Sequence, residues 1–269
     1  MITTIGDALL DVIVRLDEPL AAGADALAAT QTSLGGQAAN VAAWAVALGA
    51  EARCVAKRGD DLAGKLVGVE LGAQGVEPAG PVQGRSGIVV SLVGTDGERT
   101  MASDRGAGPE LSADELDPEW FACDCLHISG YALFSTPIDG ASVRAAELAR
   151  ERGARVSVDL SAWTRIREYG PVRFRELLER LAPDVIFANE AEWEIVGAAY
   201  GLAPTAVVKR GARGVLVLGD ERVELPATAV DVVDATGAGD ALAAGFLVGG
   251  PELAVEAAAR CVGKLGAMP

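Results

Sequence analysis

The second half of the chain alternates short apolar runs with amphipathic segments, and this alternation limits the fold more than any other feature. Runs typical of strands lie at 124–129, 154–160, 184–188, 205–209 and 214–218, and helical patterns cover 138–152, 171–181 and 190–199. Strands that alternate with helices pair in parallel, because each helix carries the chain back across one face of the sheet. We therefore predict an α/β fold with a mainly parallel sheet and helices on both faces.

Two segments with β character lie outside this alternation. Residues 12–34 and 84–105 are rich in small and polar residues, and the second has two runs around Asp96-Gly97, a hairpin signal. The two segments flank the Gly35-Gly36 pair in sequence, so both can reach the same opening. We predict a single domain over residues 1–269 with a small β lid formed by these two segments.

A glycine-rich turn, Asp-Ala-Thr-Gly-Ala-Gly-Asp at 234–240, lies between an apolar run at 230–233 and a helical run. We interpret the run at 230–233 as a short strand. The first N–H groups of a helix bind anions, and Gly237 and Gly239 allow close approach to the main chain. Asp240 would repel a bound anion, but it suits phosphoryl transfer, where a carboxylate accepts the proton of the attacking hydroxyl. An ordinary turn with an Asp at a helix N-terminus is the alternative.

Polar residues near the N-terminus form a second group. Asp11 lies in an apolar run, where a buried carboxylate needs a polar partner, although a strand end in water would also explain it. Gly35 and Gly36 begin an alanine-rich helix that places Asn40 one turn later, and a plain turn is the structural alternative.

Further polar residues follow strands of the predicted main sheet, at the edge where such sheets bind ligands. Asn189 and Glu192 lie one helical turn apart and can share a hydrated Mg²⁺, although a helix cap with a solvated Glu is the commoner explanation of the bare pattern. Lys209 and the turn 211–214 follow the next strand.

Composition excludes several classes of function. The net charge of −15, with no Lys/Arg block, argues against binding of nucleic acid, and no run reaches the ~18–20 apolar residues of a membrane helix. His127 is the one histidine, which excludes Ser-His-Asp hydrolysis and multi-histidine metal sites, and we expect it to be structural. Cys123 and Cys125 form a poor zinc signal, so we expect reduced thiols. The N-terminus lacks the basic region of a signal peptide, and we expect a cytoplasmic protein.

The segment 59–66 nearly matches a P-loop but fails on chemical grounds. Leu66 stands where the Mg²⁺-binding hydroxyl is needed, and Asp60 and Asp61 would repel phosphate. We predict instead that one of these two residues caps a helix over 62–71.

Together, the motifs resemble those of the ribokinase-like (PfkB-type) sugar and nucleoside kinases. The turn at 234–240 is similar to the family signature Asp-Thr-x-Gly-Ala-Gly-Asp, with Ala235 where Thr is usual. Gly35-Gly36-x-x-x-Asn40 resembles the second signature, and Gly6…Asp11 has the spacing of the family's substrate-binding Asp. The resemblance extends from Gly6 to the C-terminus.

The resemblance implies ATP-dependent phosphorylation of a hydroxyl on a sugar or sugar-like molecule, with a role for each motif. The implied catalytic residues are the base Asp240 and the anion hole Gly237, Ala238 and Gly239; the substrate residues are Asp11, Gly35, Gly36 and Asn40; the nucleotide residues are Asn189, Lys209, Gly211 and Gly214. It also implies that Asn189 and Glu192 hold Mg²⁺ through water, and that Asp234 and the Thr236 carbonyl bind a monovalent cation such as K⁺.

Two alternatives remain within this resemblance. A nucleoside kinase would use aromatic stacking from the lid, and residues 12–34 and 84–105 contain no Phe, Tyr or Trp, which favours a sugar. A non-catalytic sugar or nucleotide sensor is the other alternative. The lid's apolar residues need burial, which a homodimer formed lid to lid or packing of the lid on the core would each provide.

Overall fold

A computed structural model describes residues 1–96, 99–198 and 201–269. The strands are β1 (Ile2–Ile5), β2 (Leu9–Leu16), β3 (Ala28–Gly35), β4 (Ala52–Val55), β5 (Glu77–Ala79), β6 (Ile88–Val93), β7 (Arg99–Asp104), β8 (Cys125–Ser129), β9 (Arg155–Asp159), β10 (Val185–Asn189), β11 (Thr205–Lys209), β12 (Val215–Leu218) and β13 (Arg222–Leu225). The helices are α1 (Gln37–Ala47), α2 (Leu62–Ala73), α3 (Ile138–Glu151), α4 (Trp163–Tyr169), α5 (Pro171–Leu181), α6 (Glu190–Ile195), α7 (Ala238–Gly249) and α8 (Pro251–Val262).

The main sheet confirms the predicted α/β fold. Its strand order within the described residues is β13-β12-β11-β10-β9-β8-β1-β4-β5. Neighbours from β11 to β5 are parallel, and only β12 and β13 at one edge are antiparallel. The carboxyl ends of the parallel strands therefore meet at one edge, which positions the site.

Helices cover both faces of this sheet because its central strands are apolar on both sides. In β10, Ile186 packs into the core beneath α3 to α6, and its neighbour Phe187 packs into the core beneath α1, α2, α7 and α8. Phe174 and Trp44 are the large buried side chains that the helices contribute to the first and second core, respectively. Continuous apolar strands of this kind are typical of parallel sheets.

A second, smaller sheet is present, as predicted, with the order β3-β2-β6-β7. β2 begins at Leu9 and β3 ends at Gly35, slightly beyond the predicted segment 12–34, whereas β6 and β7 lie within the predicted segment 84–105. The strands β6 and β7 pair antiparallel, which confirms the hairpin. Gly97 of its predicted turn lies outside the described residues.

Two secondary-structure predictions were wrong in part. Residues 230–233 form no strand: the side chain of Val232 is 67% exposed, and the Val233 N–H donates to the Val262 carbonyl at the end of α8 rather than to a strand. The helix predicted over 190–199 ends at Ile195, and residue 199 lies outside the described residues. The short elements β4, β5, β13 and α4 carried no clear pattern and were missed.

Local contacts confirm two structural interpretations. Asp61 caps α2, and its carboxylate accepts a hydrogen bond from the Gly64 N–H (2.9 Å), so the near-match to a P-loop is a helix cap. His127 is fully buried with Nδ1 2.9 Å from the Ser157 hydroxyl, and burial lowers its pKa to about 4. In the described part of the chain, no helix has both the length and the apolar character needed to cross a membrane.

Candidate active site

The predicted anion hole lies at the N-terminus of α7. Gly237 has a φ of +77°, and a Cβ there would come within 2.6 Å of the Ala267 Cβ, so only glycine fits. The Ala238 N–H makes a long hydrogen bond of 3.3 Å to the Ala235 carbonyl. Because first-turn N–H groups generally have no partner within a helix, Gly239 and Asp240 offer the better-placed donors. The motif therefore forms the turn that the sequence predicted.

Asp240 projects from the first turn of α7, and Asn40 of α1 holds it. The Asn40 amide donates from Nδ2 to Oδ2 of Asp240 at 2.7 Å. Burial raises the pKa of the Asp240 carboxyl to about 6, although the hydrogen bond from Asn40 opposes that shift. The carboxylate is thus ionised at neutral pH but takes up a proton more readily than an ordinary aspartate.

A buried ion pair lies next to this turn. Lys209, at the end of β11, donates from Nζ to both carboxylate oxygens of Asp159 (2.9 and 2.7 Å), and Asp159 is 0% exposed. Nζ also lies 3.3 Å from where a Cβ on Gly239 would stand. Burial alone would lower the pKa of Lys209, but the carboxylates of Asp159 and Glu192 outweigh it and raise the pKa. The ammonium group therefore stays charged beside the anion hole.

Asn189 and Glu192 form the reciprocal cap of α6. The Glu192 N–H donates to Oδ1 of Asn189 (2.9 Å), and Glu192 accepts from the N–H (2.8 Å) and Nδ2 (2.7 Å) of Asn189. The helix-cap alternative is confirmed, but the Glu is 1% exposed rather than solvated. Burial raises the pKa of Glu192, and the charge of Lys209 opposes that shift. Because Asn189 engages both carboxylate oxygens, this pair suits a metal ion through water rather than directly.

A cavity of about 720 Å³ brings the predicted nucleotide residues together with Asp240. The sequence-predicted residues that line it are Asn189, Glu192, Lys209, Gly211, Gly214, Ala238, Gly239 and Asp240. Apolar residues form a further wall of the cavity and include Val230, Val232 and Val255. The sequence signal for this wall is the apolar run at 230–233, whose pattern wrongly predicts a strand.

The predicted substrate residues lie outside this cavity, on the side of the small sheet. The Asp11 carboxylate lies directly over Gly35, where a Cβ would come within 2.3 Å of its oxygens. Burial raises the pKa of Asp11 to about 6, and the charge of Arg99 opposes that shift. Gly36 precedes α1, which carries Asn40 to Asp240. Asn40 thus connects the two sides of the site.

A partly buried ion pair on this side was not predicted from the sequence. Asp7 follows β1 and accepts hydrogen bonds from Arg105 Nε (2.7 Å) and Nη2 (3.1 Å). A Gly-Asp dipeptide looks like an ordinary turn, and nothing near it in sequence indicates a partner 98 residues away.

Direct metal ligands are scarce in the site. Within 1–96, 99–198 and 201–269, no group of three or more His, Cys, Asp or Glu side chains is arranged to hold a metal ion. Asp234 lies beside the turn, and its carboxylate accepts hydrogen bonds from the N–H groups of Thr236 (2.9 Å) and Gly266 (3.0 Å).

Known proteins resemble this chain along its whole length. The model of the pfkB family carbohydrate kinases matches residues 1–268. The ATP-dependent ribose-1-phosphate kinase of Halopiger xanaduensis is 33% identical over 270 residues, covering 93% of this chain and 86% of the relative. The fructokinase of Escherichia coli is 29% identical over 268 residues, covering 91% and 82%, respectively.

The fold of the chain also resembles that of a solved kinase. The adenosine kinase from Sinorhizobium meliloti superposes with a TM-score of 0.86 at 28% identity, covering 100% of this chain and 95% of that one. The sequence match, the shared fold and the motifs agree: the chain belongs to the pfkB family of carbohydrate kinases.

Proposed function

We propose that this kinase transfers the γ-phosphoryl group of ATP to a hydroxyl of a sugar or sugar-like molecule, with Asp240 as the base. The position of Asp240 carries the proposal. Its carboxylate lines the cavity and also accepts the hydrogen bond of Asn40 from the Gly35-Gly36 side. A base between a nucleotide and a sugar needs this position, because it must reach the hydroxyl that attacks the phosphorus.

The proposed chemistry is one in-line displacement. As the sugar oxygen forms its bond to the γ-phosphorus, its proton passes to the Asp240 carboxylate, and the bond to the β–γ bridging oxygen breaks to release ADP. The N–H groups of Gly239 and Asp240 stabilise the charge on the transferred phosphoryl oxygens, with Gly237 and Ala238 shaping the turn. Lys209 adds a fixed positive charge beside that turn.

The cavity suits ATP as the co-substrate. Its apolar wall at Val230, Val232 and Val255 offers a surface for adenine, and the turn at Gly211–Gly214 lines the same space. We assign Asn189, Lys209, Gly211 and Gly214 to the nucleotide. ATP dependence is also named in the ribose-1-phosphate kinase that the chain resembles.

Magnesium fits this site only through water and phosphate. Both oxygens of Glu192 already accept hydrogen bonds from Asn189, so these residues would orient water molecules of a Mg²⁺ that ATP brings in. The ion would supply positive charge to the phosphates during transfer.

On the sugar side, we assign Asp11, Gly35, Gly36 and Asn40 to the hydroxyl groups of the substrate. Gly35 keeps the Asp11 carboxylate accessible, because any side chain there would collide with it. The absence of aromatic residues from 12–34 and 84–105 favours a sugar. A nucleoside is the second candidate, since the adenosine kinase structure matches the whole chain.

A screen for ADP release tests the proposal. The purified chain is assayed with ATP and Mg²⁺ against free pentoses and hexoses, ribose 1-phosphate, and nucleosides. We expect turnover with a sugar or sugar phosphate that exceeds turnover with any nucleoside. In the Asp11→Ala variant, the KM for that sugar should rise at least tenfold while the ATP affinity stays the same. Binding without turnover of any hydroxyl compound would favour a non-catalytic sensor.

We further propose that residues 1–269 act as one domain whose segments 12–34 and 84–105 close over the sugar as a lid. Two exposed residues of the small sheet region, Leu27 and Met101, support packing of lid against lid in a homodimer. The four cysteines are free thiols, which suits the reducing cytoplasm where ATP is available. The K⁺ that the resemblance implies at Asp234 is the one component that the local contacts do not favour.

A further inference from the structure

Arg99, the first residue of strand β7 in the small sheet, reaches the turn that precedes α7. Its Nη1 donates a hydrogen bond to the Thr236 hydroxyl and lies 3.6 Å from Oδ1 of Asp234. An arginine side chain keeps its charge at any pH at which the protein is folded. A fixed positive charge from the lid therefore stands beside Asp234.

The two groups that the family resemblance implies as cation ligands are already engaged. Oδ1 of Asp234 accepts hydrogen bonds from the N–H (2.9 Å) and the hydroxyl of Thr236, and Oδ2 accepts one from the Gly266 N–H (3.0 Å). The Thr236 carbonyl accepts a hydrogen bond from Sγ of Cys261 at 3.2 Å. Oδ2 of Asp234 and the Thr236 carbonyl each accept one of these bonds, so a metal ion would have only one further lone pair on each of them.

The charge balance also disfavours a metal ion at this position. Burial alone would raise the pKa of Asp234, but hydrogen bonds from Thr236 and Gly266 and, as the smallest cause, the charge of Arg99 lower it. The carboxylate therefore keeps its charge and has Arg99 as a counter-ion from the protein. A second cation next to Asp234 would be repelled by Arg99. The residues present therefore do not fit a bound K⁺.

Arg99 also acts on the sugar side of the site. Burial raises the pKa of Asp11, and the charge of Arg99 opposes that rise. Asp11 belongs to the proposed substrate site, and Asp234 begins the anion-hole turn. One side chain of the lid thus connects the two.

We propose that Arg99 takes the place of a monovalent cation at Asp234, so that the lid itself holds the anion-hole turn and the enzyme works without potassium. The consequence is a coupling that a free ion cannot provide. Opening of the lid withdraws the charge, and closure returns it, so the turn is fully held only when the small sheet is in place.

Thermal melting tests this proposal independently of activity. The melting temperature is measured in KCl and in tetramethylammonium chloride at equal ionic strength, because the organic cation is too large for such a site. We expect no difference for the native chain. Arg99→Gln should become stabilised by K⁺, by roughly 2–4 °C once its concentration is several times the Kd. Arg15→Gln is the matched control, since Arg15 is an exposed arginine of β2, the lid strand that also carries Asp11.

Two outcomes of the melting experiment would overturn the proposal. Stabilisation of the native chain by K⁺ over tetramethylammonium would overturn the proposal. If neither the native chain nor Arg99→Gln responds to K⁺, Arg99 does not fill a cation site, and the proposal is also wrong. Neither result depends on whether the chain is active.

A kinetic measurement adds the functional consequence and rests on the proposed kinase activity. With the sugar found in the screen, kcat of the native enzyme should differ by less than twofold between the two salts. Arg99→Gln should lose activity in tetramethylammonium chloride and regain part of it in KCl. A native kcat that falls at least tenfold without K⁺ would contradict the proposal. If the screen finds no substrate, the melting experiment alone tests the proposal for Arg99.

Discussion

The two sides of Asp240 are built differently. On the nucleotide side, the charged groups are buried in the parallel sheet: Asp159 is 0% exposed and Glu192 1% exposed, and both lie near the Lys209 ammonium group. On the small sheet, β7 is exposed along its whole length, and its pair Arg85–Asp104 lies in water with side chains 66% and 52% exposed.

This difference shows which part of the site is in place before the ligands bind and which part takes its final form only when they bind. Helices on both faces of the main sheet hold the anion-hole turn and its ion pair in place, so the groups for phosphoryl transfer are preorganised. In the small sheet, β7 and most of β3 are exposed, and an element with few buried contacts opens at low free-energy cost. The substrate side should therefore be the adaptable part of the molecule.

The largest effect should come from Asp240 itself. Asp240→Asn keeps the shape of the side chain but cannot accept the proton, so kcat should fall by roughly 10²–10⁴. ATP affinity should be kept or rise slightly, because the amide preserves the shape of the cavity and removes a negative charge that repels the phosphates. Steady-state kinetics and calorimetry with ATP measure the two quantities. A near-normal kcat would show that the proton leaves by another route.

The next effect concerns stability on the buried side. Lys209→Met leaves Asp159 buried without its partner, and the free energy of unfolding should fall by about 3–5 kcal/mol. Urea unfolding measures this loss. The matched change on the small sheet is Arg85→Met, which should leave the unfolding transition where it is, because both partners there are exposed. If both variants lost the same free energy of unfolding, the proposed difference between the buried nucleotide side and the exposed small sheet would be wrong.

The smallest effect should be a change in hydrogen exchange. Amides of the segments 12–34 and 84–105 should exchange more slowly when sugar is added, and less so with nucleotide alone, because the sugar is the ligand that the lid covers. Amides of β9 to β11 should change little with sugar. Equal protection of the small sheet with and without sugar would assign it to the rigid core.

Much of the fold could be predicted because its signals are local. Strands β8, β9 and β10 are buried runs, and each is followed by a helix, so the parallel sheet follows from the pattern. The failure at 230–233 has a physical reason: its valines form a cavity wall and a solvent-exposed segment, yet an apolar run looks the same whether it faces a sheet or a ligand. Short strands such as β4 are too brief to show a period.

The site could be predicted only as separate motifs. The turn before α7 and the residues Asn189 and Glu192 carry their own local signature. The hydrogen bond between Asn40 and Asp240 joins residues 200 positions apart, and the pairs Lys209–Asp159 and Asp7–Arg105 also span the fold. No local pattern indicates which charged residues meet, so only the structure reveals how the base is held.

The pH dependence of kcat tests most directly whether Asp240 is a base tuned by burial and by Asn40. Its raised pKa of about 6 means that the carboxylate is protonated, and inactive as a base, below that pH. We predict that kcat is constant above about pH 7 and falls about tenfold per pH unit below about 6. In Asn40→Leu the carboxylate loses the hydrogen bond that opposes burial, so the midpoint should move to higher pH, whereas Asp11→Asn should leave it in place. A midpoint near 4, or one that Asn40→Leu does not move, would contradict the account.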